Sequence, residues 1–215
     1  DAKLTSNSSN RLLRLFSGSY QRPDGLAQFA RQLGLEVDLF DSDPHVGGGA
    51  DADILDDKVY ESLQARISSG IYVAIFAAPP CSTYSISRFF RAASSKDGGP
   101  PPVRTRREIG GCRFLPQKHH EELRRANTIT ARLCALMILA HRAGTEFVIE
   151  NPADRGDATR PDLFVNENHG PLWLVDSVCA LAKMASTSTV TFAMCAFGAP
   201  WQKMTTLMYT AGMSA

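Results

Sequence analysis

The strongest periodic signal in the chain lies between His119 and Ala143. Leu123, Ala126, Ile129, Leu133, Met137 and Ala140 recur there at three- and four-residue steps. That spacing places them on one face and predicts a long helix, which Gly144 ends. Shorter apolar runs have strand length. "RLLRLF" (Arg11–Phe16), "LEVDLFD" ending at Asp41, Ile71–Ala78 and "TEFVIENP" broken by Pro152 read as strands. "TVTFAMCAF" and "TTLMYTA" read as two more, joined by "GAPWQKM". "GLAQFARQLG" reads as a helix with Pro23 and Asp24 at its start and Gly34 past its end. Lys58–Ser68 and "PLWLVDSVCALAKMA" read as helical. Residues 1–10 form a polar tail. Residues 92–117 are rich in Gly, Pro, Ser and Arg without a period, and read as a long mobile loop.

Strands and helices that alternate in this way predict an α/β fold. The sheet is expected to be doubly wound and mostly parallel, Rossmann-like, with helices on both faces. Ligands in such sheets sit at the carboxyl ends of the strands. Those ends read "FSG" (Phe16–Gly18), Asp41, "PPC" (Pro79–Cys81), "ENP" (Glu150–Pro152) and "GAPWQ" (Gly198–Gln202).

Composition changes this picture little. The 215 residues, 44% of them hydrophobic, suit one domain over 11–215 with a sizeable core. The formal charge is +1, but it is unevenly spread. Glu36 to Glu61 holds nine acids and one lysine; Arg88 to Arg125 holds ten Lys/Arg and four acids. The basic segment is either a solvated surface or a phosphate contact. Five scattered cysteines fit neither a disulfide framework nor a zinc site, so a reducing, intracellular compartment, nuclear or cytoplasmic, is expected. Cys112, His119 and His120 lack a fourth ligand, and no metal is expected. No run approaches the ~20 apolar residues of a membrane span. The first residues have no apolar signal-peptide core. They also lack an initiating Met, which suggests a domain of a longer parent chain.

Each strand end has a purely structural reading beside a chemical one. In the structural reading Gly18 is turn chemistry, Asp41 a solvated acid, and Cys81 a small buried residue. Glu150 says more, because a carboxylate beside a core strand needs a partner or a raised pKa. Two prolines before Cys81 stiffen its turn and aim its sulfur. Cys134, Cys179 and Cys195 lie in apolar runs and read as core.

Taken in order, "LRLFSGS", "DLFD", "DADI", "APPCSTYS", "FVIENP" and "FGAPWQKMTTLMYT" resemble the motifs of DNA cytosine-C5 methyltransferases, over roughly Leu12 to Thr210. The closing pair of strands looks like the reversed final hairpin of class I S-adenosylmethionine (SAM) methyltransferase folds. The resemblance implies a SAM-dependent transfer of a methyl group to C5 of cytosine in DNA. Cys81 would be the nucleophile at C6, and Glu150 would relieve charge at N3. Phe16, Ser17, Gly18, Ser19 and Pro79 would hold SAM, with Asp41 on its ribose, Asp53 on its adenine amine and Ile54 against the ring. Pro80, Ser82, Asn151, Gln202 and Lys203 would line the base site. Arg104, Arg106 and Arg107 would meet phosphate, and the long loop would close over a flipped base.

The chain departs from the pattern in places. Arg14 stands where the family has an acid, "YQRPDG" lengthens the first turn, and Gln202 and Lys203 stand near the family's paired arginines. No separate target-recognition domain is expected within these 215 residues. Two other readings stay open: a SAM-dependent methyltransferase of RNA or of an exocyclic amine, and a non-catalytic nucleic-acid-binding module of the same fold.

Overall fold

The computed structural model describes residues 10–23, 25–90 and 99–213. The polar tail, Asp24 at the first helix start, and the opening part of the long loop lie outside them, in whole or in part.

Six strands alternate with four α-helices. The order along the chain is β1 (Arg11–Leu15), α1 (Leu26–Gln32), β2 (Glu36–Phe40), α2 (Asp57–Ser68), β3 (Ala74–Ala77), α3 (Gln117–Arg142), β4 (Glu146–Pro152), α4 (Asp176–Met184), β5 (Ser188–Ala193) and β6 (Met204–Tyr209). The strands make one mixed sheet in the order β2-β1-β3-β4-β6-β5. β1 runs parallel to β2 and to β3, and β3 parallel to β4, with Leu13 opposite both Asp38 and Ile75. β6 is reversed. Thr210 N–H donates to Phe147 O, and Ala153 N–H to Met204 O, so numbers rise along one strand as they fall along the other. β5 is reversed against β6 by the same test, through Met194 N–H to Lys203 O and Thr191 beside Thr206.

The described residues divide into two compact units. The first takes in residues up to 78, 132–149 and from 209; the second takes in 79–131 and 150–208. In the first unit, Leu13, Leu15, Ile75, Ala77, Phe147 and Ile149 come from the strands. Leu63 and Ile67 of α2 join them, with Leu133, Leu136, Met137 and Ala140 of α3. These strands are apolar because parallel strands are commonly covered on both faces. Asp56 starts α2 by accepting Val59 N–H at 3.0 Å.

The second unit is built differently. Its packing relies on buried polar groups: Thr83, Arg88, Arg104, His119, Thr130, Asn151 and His169 are all buried. Three sequence expectations are corrected here. "MCAF" (Met194–Phe197) is a 3-10 turn rather than strand, ended by Gly198 at φ +87°. Cys195 on that turn is therefore exposed and Cys179 is half-buried, so of the three cysteines read as core Cys134 alone is buried. "PLWLVD" supplies a 3-10 turn at Leu172–Leu174, and α4 begins at Asp176. β4 continues to Pro152, whose missing N–H falls at the strand end.

Candidate functional site

β3 ends at Ala77, and the two prolines carry the chain to Cys81. Pro79 is buried, Pro80 exposed, Cys81 half-buried and Ser82 exposed. Tyr84 N–H donates to Cys81 O at 2.9 Å and closes a turn immediately after the cysteine. A short 3-10 helix, Ile86–Phe89, follows, its first N–H groups capped by Ser85. Three buried side chains fasten this turn from beneath. Arg88 donates to Ser82 O, to Pro101 O at 3.0 Å and to the Glu122 carboxylate. Arg104 donates to Thr83 Oγ1 at 3.2 Å and to Ile109 O at 2.8 Å, with its guanidinium 4.0 Å over the Tyr84 ring. His169 Nδ1 accepts Arg155 N–H at 3.0 Å, so Nε2 carries the proton and donates to Tyr84 O at 2.8 Å.

The strand end of β4 meets the same turn. Asn151 is fully buried, and its Nδ2 donates to Pro79 O at 3.1 Å. Its buried Oδ1 has no hydrogen-bond partner among the described residues. Pro152 O accepts Trp173 Nε1–H at 2.8 Å, which anchors the other side of the segment. Glu150 is one-fifth exposed and its Oε1 accepts Lys203 Nζ at 3.0 Å. Lys203 thus joins the closing hairpin to the "ENP" end, a pairing that reaches the carboxylate as a single point charge.

A cavity of about 430 Å³ opens here. Cys81, Gln202, Lys203, Pro152 and Met204 line it, together with Ser85, Ser87, Phe90 and Arg155. Of the expected base-site residues, Cys81, Gln202 and Lys203 face this space; Glu150 reaches it through Lys203, and Asn151 sits behind it as the tie to Pro79. Arg155, Phe90, Ser85 and Ser87 did not emerge from the sequence. Arg155 lies in the polar segment directly after "ENP", and a cation so close to a strand end was the available signal.

Asn151→Ala removes the tie between the two turns. Pro79 O loses its donor, while the unpartnered Oδ1 goes too, so stability is expected to fall by only about 1 kcal/mol. The larger effect is a freer Cys81 turn. Alkylation of Cys81 by iodoacetamide, mapped by mass spectrometry, should speed up severalfold. An unchanged rate would show that the tie does not restrain the thiol.

The three arginines expected at phosphate have separate fates. Arg104 is 1% exposed and packed on Tyr84, which corrects its reading as a surface contact. Burial pushes its guanidinium below the usual value, and nearby Arg88 adds to that. Arg106 forks onto Asp154 at 2.9 and 3.0 Å. Burial pushes the Asp154 carboxyl up, but the Gly156 N–H and Arg106 outweigh it and hold it below the usual range. Arg107 is exposed. Residues 99–116 contain neither α-helix nor strand, yet Arg104, Arg106 N–H to Asn168 O and Asn127 to Gly110 O tie them down.

The first unit holds the residues expected at SAM. Phe16 takes φ +55° and Gly18 φ +64°, a tight left-handed turn after β1. Ser17 is buried and Ser19 exposed. Phe16 and Ser17 N–H donate to Phe40 O, and Gly18 N–H donates to Asp41 Oδ2 at 2.8 Å. Asp41 Oδ1 accepts Asp43 N–H at 3.0 Å. Both Asp41 oxygens keep a further lone pair, and the space around Gly18 is open for 4 Å where a Cβ would stand. These residues fit a ribose and its attached chain. Asp53 Oδ1 caps Leu55 N–H at 2.9 Å. Ile54 is 2% exposed and belongs to the core, so it offers an adenine ring no face; that expectation is corrected. Arg14 is half-buried, and burial first and Arg22 second push its guanidinium down.

Gly48 packs directly on this turn. A Cβ there would lie 1.8 Å from Asp41 O and 2.6 Å from its carbonyl carbon. Backbone cannot yield as a side-chain tip can, so Gly48→Ala is expected to destabilise the protein by roughly 1–3 kcal/mol. Thermal unfolding reads this directly, and an unchanged melting temperature would mean that the loop shifts freely.

Among the described residues no three His, Cys, Asp or Glu side chains gather as a metal site would. No helix among them is long and apolar enough to cross a membrane. No family model matches the chain, and no curated protein is significantly similar to it.

Proposed function

We propose that this chain is a SAM-dependent methyltransferase of class I type that methylates C5 of cytosine in DNA through a Cys81 adduct. One observation carries the reading: a half-buried thiol on a stiffened strand-end turn lines a cavity with Lys203, which holds Glu150. The reversed β6 beside β4 supports the reading of the closing hairpin.

Cytosine C5 is a weak nucleophile. Sulfur addition at C6 makes it an enamine carbon that can accept a methyl group. The Cys81 turn fixes the sulfur's approach, because Tyr84 N–H, Arg88 and Asn151 hold its backbone on both sides. A proton delivered to N3 through Glu150 offsets the charge that addition pushes into the ring; once C5 is methylated its hydrogen leaves as a proton and the C6–S bond breaks, which restores the ring and frees the Cys81 thiolate. Lys203 keeps that carboxyl in one rotamer while Oε2 has no partner among the described residues. Bound SAM supplies the electrophilic methyl group, and Gly18, Ser19 and Asp41 are the residues that would hold it. A base in a duplex cannot reach such a cavity unless it leaves the stack.

Incubation with methyl-labelled SAM and a cytosine-containing duplex, followed by nucleoside analysis, tests the reading. Label in 5-methylcytosine supports it. Label in N4-methylcytosine or in RNA alone moves the function to another acceptor, and no transfer with SAM bound removes the enzymatic reading of this chain.

A further inference from the structure

Among the described residues, Arg155 is the one cation lining the Cys81 cavity without a counter-charge. Its backbone N–H donates to His169 Nδ1, and its carbonyl accepts Val165 and Asn166 N–H at 2.8 and 3.1 Å. Its Nε donates to Leu163 O. The two terminal nitrogens make no hydrogen bond or ion pair with the described residues. The residue lines the cavity together with Lys203, and among the described residues no carboxylate does. Lys203 is committed to Glu150. A half-buried guanidinium left without an anion is unfavourable, yet the Nε bond to Leu163 O, on a backbone held by three further hydrogen bonds, keeps this one beside the cavity. A fork fixed in this way is set to receive an oxyanion with little further loss of entropy.

We infer that Arg155 is a phosphate anchor: it binds the phosphodiester next to the reacting base, so the pocket takes a nucleotide within a strand and not a free base. The Ser85 and Ser87 hydroxyls, hydrogen-bonded to each other at 2.8 Å on the same wall, leave one further donor for that oxyanion. Phe90, 62% exposed at the cavity, offers a face on which a neighbouring base can stack. The inference rests on the nucleic-acid reading of the cavity, but it concerns binding and not methyl transfer.

Fluorescence anisotropy with a labelled cytosine-containing oligonucleotide, titrated over a sodium chloride series, tests it on wild type, Arg155→Gln and Arg155→Lys. Arg155→Gln should bind on the order of tenfold more weakly at low salt. Its slope of log K against log salt should be shallower by about 0.7–0.9, one phosphate contact. Arg155→Lys cannot reproduce the Nε bond to Leu163 but keeps the charge, so it should restore the slope. If both variants lower the melting temperature and leave the slope unchanged, Arg155 is only a tether and the inference falls. It also falls if wild type binds no oligonucleotide, or if Arg155→Gln binds as wild type does. A slope loss in a protein that never transfers a methyl group would keep the anchor and remove the methyltransferase reading.

Discussion

Cys81→Ser should abolish methyl transfer while leaving the fold and DNA binding in place. Sulfur adds to C6 because it is intrinsically a strong nucleophile. A serine hydroxyl is not. A drop of at least about 10³-fold is expected, equivalent to roughly 4 kcal/mol of barrier. The substitution changes one half-buried atom that holds no part of the turn; Tyr84 N–H uses the Cys81 carbonyl and not its sulfur. Melting temperature and oligonucleotide affinity should therefore stay close to those of wild type. Methyl transfer that survives at more than a tenth of the wild-type rate would rule out the thiol as nucleophile and favour methylation of an exocyclic amine.

Glu122→Ala should be the most damaging change outside the site. The Arg88 side chain is 6% exposed, and Glu122 is its only carboxylate partner among the described residues. Removing that partner leaves a buried guanidinium without a counter-ion, which costs about 3 kcal/mol where it has been measured for buried pairs. Glu122 is itself one-third exposed, so water recovers part of this. A fall of several degrees in melting temperature is expected for a chain of this length. Arg88 also holds Ser82 O, so the same change should loosen the Cys81 turn and lower methyl transfer. Glu122→Gln keeps an acceptor and should lose less. Equal stability of wild type and Glu122→Ala would show that Arg88 does not need the charge.

The sheet was legible because its strands are short apolar runs between helices with 3.6-residue periodicity, and of the α3 face Leu123, Leu133, Met137 and Ala140 are buried while Ala126 and Ile129 are half-buried. The Cys81 turn and the "ENP" end were legible for a local reason: proline pairs and a polar residue closing an apolar run are visible in a few letters. The support beneath the site was not. Arg88 and Arg104 sit in Gly-, Pro- and Ser-rich sequence that resembles exposed loop, and nothing nearby in sequence announces Glu122, Tyr84 or Thr83 as their partners. The same limit hid Arg155, whose role depends on Leu163 and His169 closing around it. Cys195 was misread because an apolar run that continues a strand looks the same as one that turns into a 3-10 helix; Gly198 was the only mark. Ile54 failed in the opposite direction, since a motif match carried a ligand role onto a side chain that the core had taken.

The most direct test combines the wild-type protein, methyl-labelled SAM and a duplex containing 5-fluorocytosine, which cannot lose its C5 substituent after methylation. The account predicts a denaturation-resistant protein–DNA adduct that carries the label and that peptide mapping places on Cys81. Absence of the adduct in a protein shown by calorimetry to bind SAM would contradict it.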